Sequence, residues 1–215
     1  HLRTRRQRQM CIRDSLSSDQ ILVKKPLIFA TGSEIRKDIA ESHGISCEFI
    51  KSEVDEELIK LNFHGNDFDK LAIQLATEKA LTISDKNKDY FVVGVDQVCS
   101  LDEEILNKPG NKDNAIVSLQ KLSGKTHHQN CGMAICKDGK IIWQSSAIAE
   151  LTMKDLTLDE IQRYLDLDEP YSCSGSYKFE ANGKDLFLNV IGSEYTIQGM
   201  DIDQLIEAFY REGII

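Results

Sequence analysis

The order of predicted strands and helices along this chain favours an α/β fold. A short apolar run at 27–30 passes through a small-residue turn into a helical pattern at 34–43, which is typical of a strand followed by a helix. A second run, 91–95, is rich in β-branched residues, as expected for a strand that is buried on both faces. Two β segments, 126–136 and 140–151, are joined by an Asp-Gly pair, a strong hairpin signal. This hairpin-rich middle suggests a second lobe.

The composition is that of an ordinary globular protein, with 41% hydrophobic and 28% charged residues in a chain of 215. That length is enough for one α/β domain or for two small lobes that share a core. No apolar run approaches the ~20 residues needed to span a bilayer, so we expect no membrane association. The formal net charge of −9 argues against binding to a nucleic-acid polymer. A phosphorylated ligand would therefore need local lysines and a divalent ion to offset the overall repulsion.

The first 14 residues differ in composition from the rest, since they carry five arginines and one acid. They contain no apolar core of a secretory signal, and an Arg-rich transit peptide is the alternative. We interpret residues 1–14 as a non-native or disordered leader and residues 15–215 as a single domain of two lobes. The six cysteines show no CxxC pair and no zinc-type spacing. We expect them to be reduced core residues in a cytoplasmic protein.

The turn Thr31-Gly32-Ser33 connects the first strand to the first helix. Such a turn places backbone N–H groups and Ser33 at a helix N-terminus, where anions bind readily. Arg36 lies one turn into the helix and can add positive charge. The alternative interpretation is a plain strand-to-helix turn with an N-cap serine, which is the commoner case.

The helix predicted at 67–84 carries a lysine on its apolar stripe. Lys79 follows Leu75 by four residues and Ala76 by three, so it falls on the face that should meet the core. A lysine there must extend to solvent along the edge of the stripe or meet an anion. Because a second lysine, Lys108, follows the next predicted strand, we favour the second option, in which Lys79 contacts a phosphate.

The stretch 91–109 combines a buried strand, an acid, a turn and a lysine within nineteen residues. Asp96 is predicted to lie at the end of the strand, where a charge loses hydration and needs a compensating cation or metal. The alternative is a hairpin with an acid at its rim. The acidic run 51–57 follows another predicted strand and is either solvated surface or a loop with metal-binding carboxylates. The loop at 173–180 is either part of a site or a simple connection.

From Leu27 onward, the chain resembles the Maf family of nucleoside triphosphate pyrophosphatases. The resemblance rests on short motifs in a fixed order: Ala30-Thr31-Gly32-Ser33-x-x-Arg36, Val54-Asp55-Glu56, Ala76-Thr77-Glu78-Lys79-Ala80, Gly94-Val95-Asp96, Asn107-Lys108-Pro109, Leu122-Ser123-Gly124, Gly175-Ser176-Tyr177 and Gly192-Ser193-Glu194-Tyr195-Thr196. It implies a mixed twisted sheet with flanking helices and two lobes around a central cleft, as in Maf and Ham1 proteins. It also implies hydrolysis of a small nucleotide substrate, NTP + H₂O → NMP + PPi, and it allows a homodimer.

The resemblance also assigns site residues. Asp96 would be the general base for the attacking water and, with Glu56, would hold a divalent metal cation such as Mg²⁺, Mn²⁺ or Co²⁺. The triphosphate would be bound by Ser33, Arg36, Lys79 and Lys108. This fits a reaction that depends on positioning and charge neutralisation.

Three further residues bear on the choice of substrate. Gln97 and Glu180 resemble the branch of the family that hydrolyses 7-methyl-GTP, whereas the dTTP and UTP branches usually show Thr and Gln at these positions. Ile35 departs from that branch, which typically has an aromatic ring there. The alternatives are a dTTP/UTP pyrophosphatase of the same family and a non-catalytic nucleotide-binding regulator of septum formation.

Overall fold

The fold is built on one seven-stranded mixed sheet, and the computed structural model describes residues 21–215. The strands are β1 Leu27–Phe29, β2 Glu48–Phe49, β3 Phe91–Leu101, β4 Glu104–Leu106, β5 Thr126–Lys137, β6 Lys140–Met153 and β7 Phe187–Ile191. Their order is β2-β1-β3-β5-β6-β7, and β4 also pairs with β3. β1 pairs in parallel with β2 and β3, whereas the other pairs are antiparallel. The predicted mixed α/β class is confirmed.

Seven α-helices occur within the described part of the chain, in addition to a short 3₁₀ turn at Asn182–Leu186. They are α1 Glu34–Ser42, α2 Glu56–Asn62, α3 Phe68–Ser84, α4 Lys112–Leu122, α5 Leu158–Asp168, α6 Glu194–Ile197 and α7 Ile202–Arg211. The helix predicted at 67–84 begins at Phe68, because Asp67 is its N-cap and lies outside the helix. None of these helices is both long and apolar enough to cross a membrane.

Two hydrophobic clusters are the largest among the described residues. One cluster includes Phe29 and Phe209, and the other includes Leu151 and Leu165. Strand β3 contributes to both, through Val93 and Val95 to the first and through Cys99 and Leu101 to the second. The two clusters therefore share one continuous sheet. The leader assigned to residues 1–14 lies outside the described residues, and the assignment of 15–215 as a single domain of two lobes stays a prediction.

Strand β3 does not end at Asp96, as the sequence predicted, but continues to Leu101. Its parallel pairing with β1 covers Phe91–Val93, and its pairing with β4 covers Cys99–Leu101. The opposite edge of β3 pairs with β5 from Phe91 to Ser100, so β1 and β4 must share the other edge. Between them, this edge has no strand partner at residues 94–98. Asp96 lies in that gap, in mid-strand, and the cleft opens there.

Two glycines allow α3 to lie unusually close to the sheet. A Cβ atom on Gly94 would lie 1.9 Å from the carbonyl oxygen of Ala76, and one on Gly132 would lie 2.0 Å from the carbonyl carbon of Ala72. Gly132 is the register partner of Asp96 on β5. Because α3 approaches the sheet here, the side chain of Lys79 can reach Asp96.

Candidate active site

A cleft of about 1020 Å³ opens along the unpaired edge of β3. All nine residues that the sequence singled out line it: Ser33, Ile35, Arg36, Glu56, Lys79, Asp96, Gln97, Lys108 and Glu180. The fold brings together residues that are up to 147 positions apart in the sequence. Six basic and six acidic side chains line the cleft. The cleft is therefore balanced in charge, although the whole chain carries −9.

Lys79 lies between two carboxylates at the centre of the cleft. Its Nζ is 2.7 Å from Oε1 of Glu56 and 2.5 Å from Oδ2 of Asp96. The side chains of Lys79 and Asp96 are only 11% and 9% exposed, whereas that of Glu56 is 32% exposed. Of the two options from the sequence, the lysine meets an anion rather than extending to solvent. Burial makes this ion pair hard to break on one side only, because the remaining charge would lack a partner.

The two oxygens of Asp96 differ in their environment. Oδ1 accepts a hydrogen bond of 2.6 Å from the backbone N–H of Gln97, which orients the carboxylate. Oδ2 is buried and forms the ion pair with Lys79, and no other residue of 21–215 donates a hydrogen bond to it. Oδ2 can therefore accept a proton or a further ligand.

Glu56 belongs to α2, a helix that the sequence analysis missed because it was interpreted as an acidic loop. The side chain of Asp55 caps α2 by accepting from the backbone N–H of Leu58. Burial alone would raise the pKa of Glu56, but the ammonium of Lys79, with smaller effects of Lys108 and Lys60, lowers the pKa overall. Glu56 is therefore ionised at neutral pH.

The strand-to-helix turn forms a second wall of the cleft. Ser33 is the N-cap of α1, yet its side chain makes no capping hydrogen bond. Its backbone N–H instead donates to the hydroxyl of Thr31 at 3.2 Å. Arg36 donates from Nη1 to the carbonyl of Val95, and its buried Nε has no acceptor within residues 21–215. An unpaired serine hydroxyl and an unpaired guanidinium N–H next to a helix N-terminus suit an anionic ligand.

The residues assigned to substrate choice lie in different environments. Glu180 is exposed, whereas Ile35 and Gln97 are half-buried. The amide nitrogen of Gln97 donates to the carbonyls of Ile197 at 2.6 Å and Thr196 at 3.3 Å. Since both N–H groups are used in this way, only the carbonyl oxygen of Gln97 is left for a ligand.

Several cleft residues received no role from the sequence. They are Thr31, Lys51, Lys60, Gln129 and Lys178. Lys60 donates to Glu57 at 2.9 Å and to Asn107 at 3.1 Å, so it connects α2 to the loop that holds Lys108. Lys178 donates to the carbonyl of Asp168. The contact between Lys60 and Asn107 joins residues 47 positions apart, so no local pattern could have revealed it.

The oxygen donors in the cleft fit a hard divalent cation. Glu56 and Asp96 are both bound to one ammonium, and Oδ2 of Asp96 has spare acceptor capacity. Across residues 21–215, no group of three or more His, Cys, Asp or Glu side chains could hold a metal. The two carboxylates themselves suit a Mg²⁺-type site, because Mg²⁺ is usually held by one or two carboxylates together with substrate phosphates and water.

The Maf-like protein family model matches residues 26–212 of this chain. A nucleoside triphosphate pyrophosphatase of Legionella pneumophila (strain Lens) is 38% identical over 196 residues, which cover 91% of this chain and 98% of the relative. A 7-methyl-GTP pyrophosphatase of Brucella abortus biovar 1 is 34% identical over 193 residues, covering 88% and 97%. The structure of the Staphylococcus aureus Ham1 protein has a TM-score of 0.44 and 14% identity, covering 88% of this chain and 100% of that one.

Proposed function

The chain belongs to the Maf family, and from this premise we propose that it hydrolyses a nucleoside triphosphate to the monophosphate and pyrophosphate, with 7-methyl-GTP as its preferred substrate. The observation that carries the proposal is the buried contact of Lys79 with both Glu56 and Asp96 inside a charged cleft. The names of the relatives from Legionella and Brucella support the reaction class. Only the Brucella name supports the methylated nucleotide.

The reaction requires a water molecule to attack the α-phosphorus and the bond to the β-phosphate to break, so that pyrophosphate leaves. In our proposal, Oδ2 of Asp96 accepts the proton of that water, since its ion pair with Lys79 is its one partner among residues 21–215. The backbone N–H of Gln97 holds the other oxygen and so fixes the direction of the carboxylate. Lys79, Arg36, Lys108 and the turn at Ser33 neutralise and orient the phosphates. Positioning and charge neutralisation of this kind account for most of the rate in phosphoryl transfer.

A divalent cation belongs to the same proposal. Glu56 and Asp96 would hold it, and when bound it would neutralise phosphate charge and orient the attacked group. The positive charge of Lys79 balances the negative charges of these two carboxylates. A divalent cation bound by them would take over that role, and the ammonium of Lys79 would then be free to contact the phosphates. The metal could be Mg²⁺, Mn²⁺ or Co²⁺.

The preference for 7-methyl-GTP rests on Glu180. Its exposed carboxylate lines the cleft and has no hydrogen bond to another described residue, so it can accept from the N1–H and the amine of guanine. A carboxylate also favours the positive charge that N7 methylation puts on the ring. Thymine and uracil present two carbonyls, one of which would face this like acceptor. Ile35 reduces the preference, because it offers no aromatic ring for stacking on the cation.

The experiment is a pyrophosphate-release assay with 7-methyl-GTP, GTP, dTTP and UTP on one preparation, with Mg²⁺, Mn²⁺ or Co²⁺ and with EDTA. We expect the highest kcat/KM for 7-methyl-GTP and no turnover in EDTA. If dTTP or UTP is the best substrate, the base preference is wrong and the reaction class survives. If nucleotides bind but none is cleaved with any metal, a nucleotide-binding regulator of septum formation replaces the enzyme.

A cytoplasmic location and a homodimer remain part of the proposal. The cysteines support the first, since the five cysteines of the described residues are all free, as is usual in a reducing compartment. Size-exclusion chromatography with light scattering tests the second.

A further inference from the structure

Lysine 51 is one of two basic residues of the cleft that have no acceptor elsewhere in the described chain. Four of the six basic side chains are already bonded: Arg36 to Val95, Lys60 to Glu57 and Asn107, Lys79 to Glu56 and Asp96, and Lys178 to Asp168. Lys51 and Lys108 line the cleft without a hydrogen bond or an ion pair to any residue of 21–215. Lys108 belongs to a recognised motif. Lys51 belongs to none of the motifs identified in the sequence.

The backbone holds Lys51 next to the anion-binding turn. Strand β2 pairs in parallel with β1, and the N–H of Ile50 donates to the carbonyl of Phe29 at 3.0 Å. This pairing places Lys51 beside the start of the turn at Thr31. The stem of Lys51 then crosses Gly32, because a Cβ atom on Gly32 would lie 3.2 Å from Cδ and 3.3 Å from Cγ of Lys51. The absence of a side chain at Gly32 leaves room for that stem.

The sheet order indicates which end of a nucleotide would meet Lys51. Asp96 lies on β3, and Lys51 follows β2, two strands away, which is about 10 Å at the usual strand spacing. The loop with Glu180 lies on the other side of β3. Tyr177 in that loop is 2.8 Å from His127 and Gln129 on β5, and its ring contacts Phe187 on β7. A nucleotide whose base contacts Glu180 and whose reacting phosphate lies at Asp96 therefore extends its outer phosphates toward Lys51.

We infer that Lys51 binds the pyrophosphate end of the substrate, the β- and γ-phosphates, over the turn at Gly32. This inference rests on the proposed function for the direction in which the nucleotide lies. The chemistry is a charge-assisted contact between an ammonium and phosphate oxygens at a helix N-terminus. The ammonium has no internal partner to give up, so binding does not require an ion pair to be broken.

The test measures the binding of magnesium pyrophosphate and of 7-methyl-GMP by isothermal titration calorimetry, with the wild type, Lys51→Met and Lys51→Arg. Lys51→Met keeps the apolar stem and removes the charge, so we expect pyrophosphate to bind roughly tenfold more weakly. Binding of 7-methyl-GMP should stay within twofold, and Lys51→Arg should recover most of the pyrophosphate affinity. Lys140→Met is the matched control, since Lys140 is exposed on the hairpin between β5 and β6 and lies outside the cleft.

The outcomes separate this inference from the proposed function, because pyrophosphate binding is measured without turnover. Unchanged pyrophosphate affinity in Lys51→Met overturns the inference even if the enzyme is active, and so does a wild type that does not bind pyrophosphate. A loss confined to 7-methyl-GMP also overturns it, because Lys51 would then contact the nucleoside end. If pyrophosphate binding falls but no nucleotide is cleaved, Lys51 is a phosphate-binding residue and the proposed reaction is wrong.

Discussion

At the scale of single residues, the cleft depends on a lysine that is almost fully buried between two acids. The side chain of Lys79 is 11% exposed and that of Asp96 is 9% exposed, so neither charge is well hydrated. Each needs the other as its partner, and removal of one leaves a buried charge. The same burial strengthens every contact that a phosphate would make in the cleft.

Asp96→Asn is expected to lower kcat by roughly 10²–10⁴-fold, the usual contribution of a general base. The amide preserves the shape of the side chain and can still accept from the N–H of Gln97 through its oxygen. It cannot accept the proton of the water. Turnover in the pyrophosphate-release assay, with far-UV circular dichroism as the check of folding, measures the loss. A folded variant with nearly normal turnover contradicts the role of Asp96.

Lys79→Met is expected to weaken binding and turnover of the triphosphate, and also to lower stability because Asp96 loses its buried partner. Methionine replaces the apolar stem on the buried face of α3. The two acids are left without their ammonium, so we also expect the variant to bind a divalent ion more tightly, as read by titration with Mn²⁺. Lys70→Met is the control, because Lys70 lies on the same helix and its ion pair with Asp67 is exposed. Loss of stability without loss of activity would show that Lys79 only packs.

At the scale of elements, the sequence predicted the helices with apolar stripes and missed α2, which has no buried residue. Helix α3 was found from its stripe, and its glycine-permitted approach to the sheet explains why Lys79 meets Asp96. Helix α2 buries none of its residues, so its sequence carried no periodic signal. β3 was ended too early because a charge interrupts its apolar run. The pairing of β3 with β5 continues through Asp96, and the charge of Asp96 is balanced by Lys79 from helix α3.

Gly94→Ala tests whether the close packing of α3 positions the site. The new Cβ would lie 1.9 Å from the carbonyl oxygen of Ala76, which is backbone, so the helix must move outward. We expect a loss of about 1–3 kcal/mol in the free energy of unfolding, as in other overpacked cores, and a fall in kcat.

Thr157→Ala is the control for Gly94→Ala. It removes the capping box of α5 and should cost about 1 kcal/mol with kcat unchanged, because α5 contributes no residue to the lining of the cleft. Equal kcat in both variants would show that α3 position does not matter for the site.

At the scale of the whole molecule, the pH dependence of stability is linked to a histidine that is buried beside Tyr177 and Phe187. His127 is fully buried, and its Nε2 is 2.8 Å from the hydroxyl of Tyr177. Its Nδ1 has no hydrogen-bond partner in the described chain. A protonated imidazole needs two acceptors, and here one nitrogen would have none. Burial, with a smaller effect of the neighbouring His128, therefore lowers the pKa of His127 to about 4.

This pKa predicts how the free energy of unfolding depends on pH. Between pH 6.5 and about 4, the unfolded chain protonates His127 while the folded chain does not, so the unfolded state binds more protons. Stability is then complete above pH 6.5 and falls as the pH falls toward 4. The shift corresponds to about 3 kcal/mol at 1.36 kcal/mol per pKa unit. Urea denaturation of the wild type at steps between pH 7.5 and 4.5 measures this loss.

His127→Gln keeps a hydrogen-bonding group for Tyr177 and cannot titrate, so its stability should be lower at pH 7.5 but should depend less on pH across the range. His64→Gln is the matched control, because His64 is exposed, and it should retain the slope of the wild type. If His127→Gln keeps the full slope between pH 6.5 and 4.5, His127 is not the cause of the acid sensitivity. Glu56 does not account for that range either, because its pKa is lowered in the folded state and its own contribution is lost only at a more acidic pH.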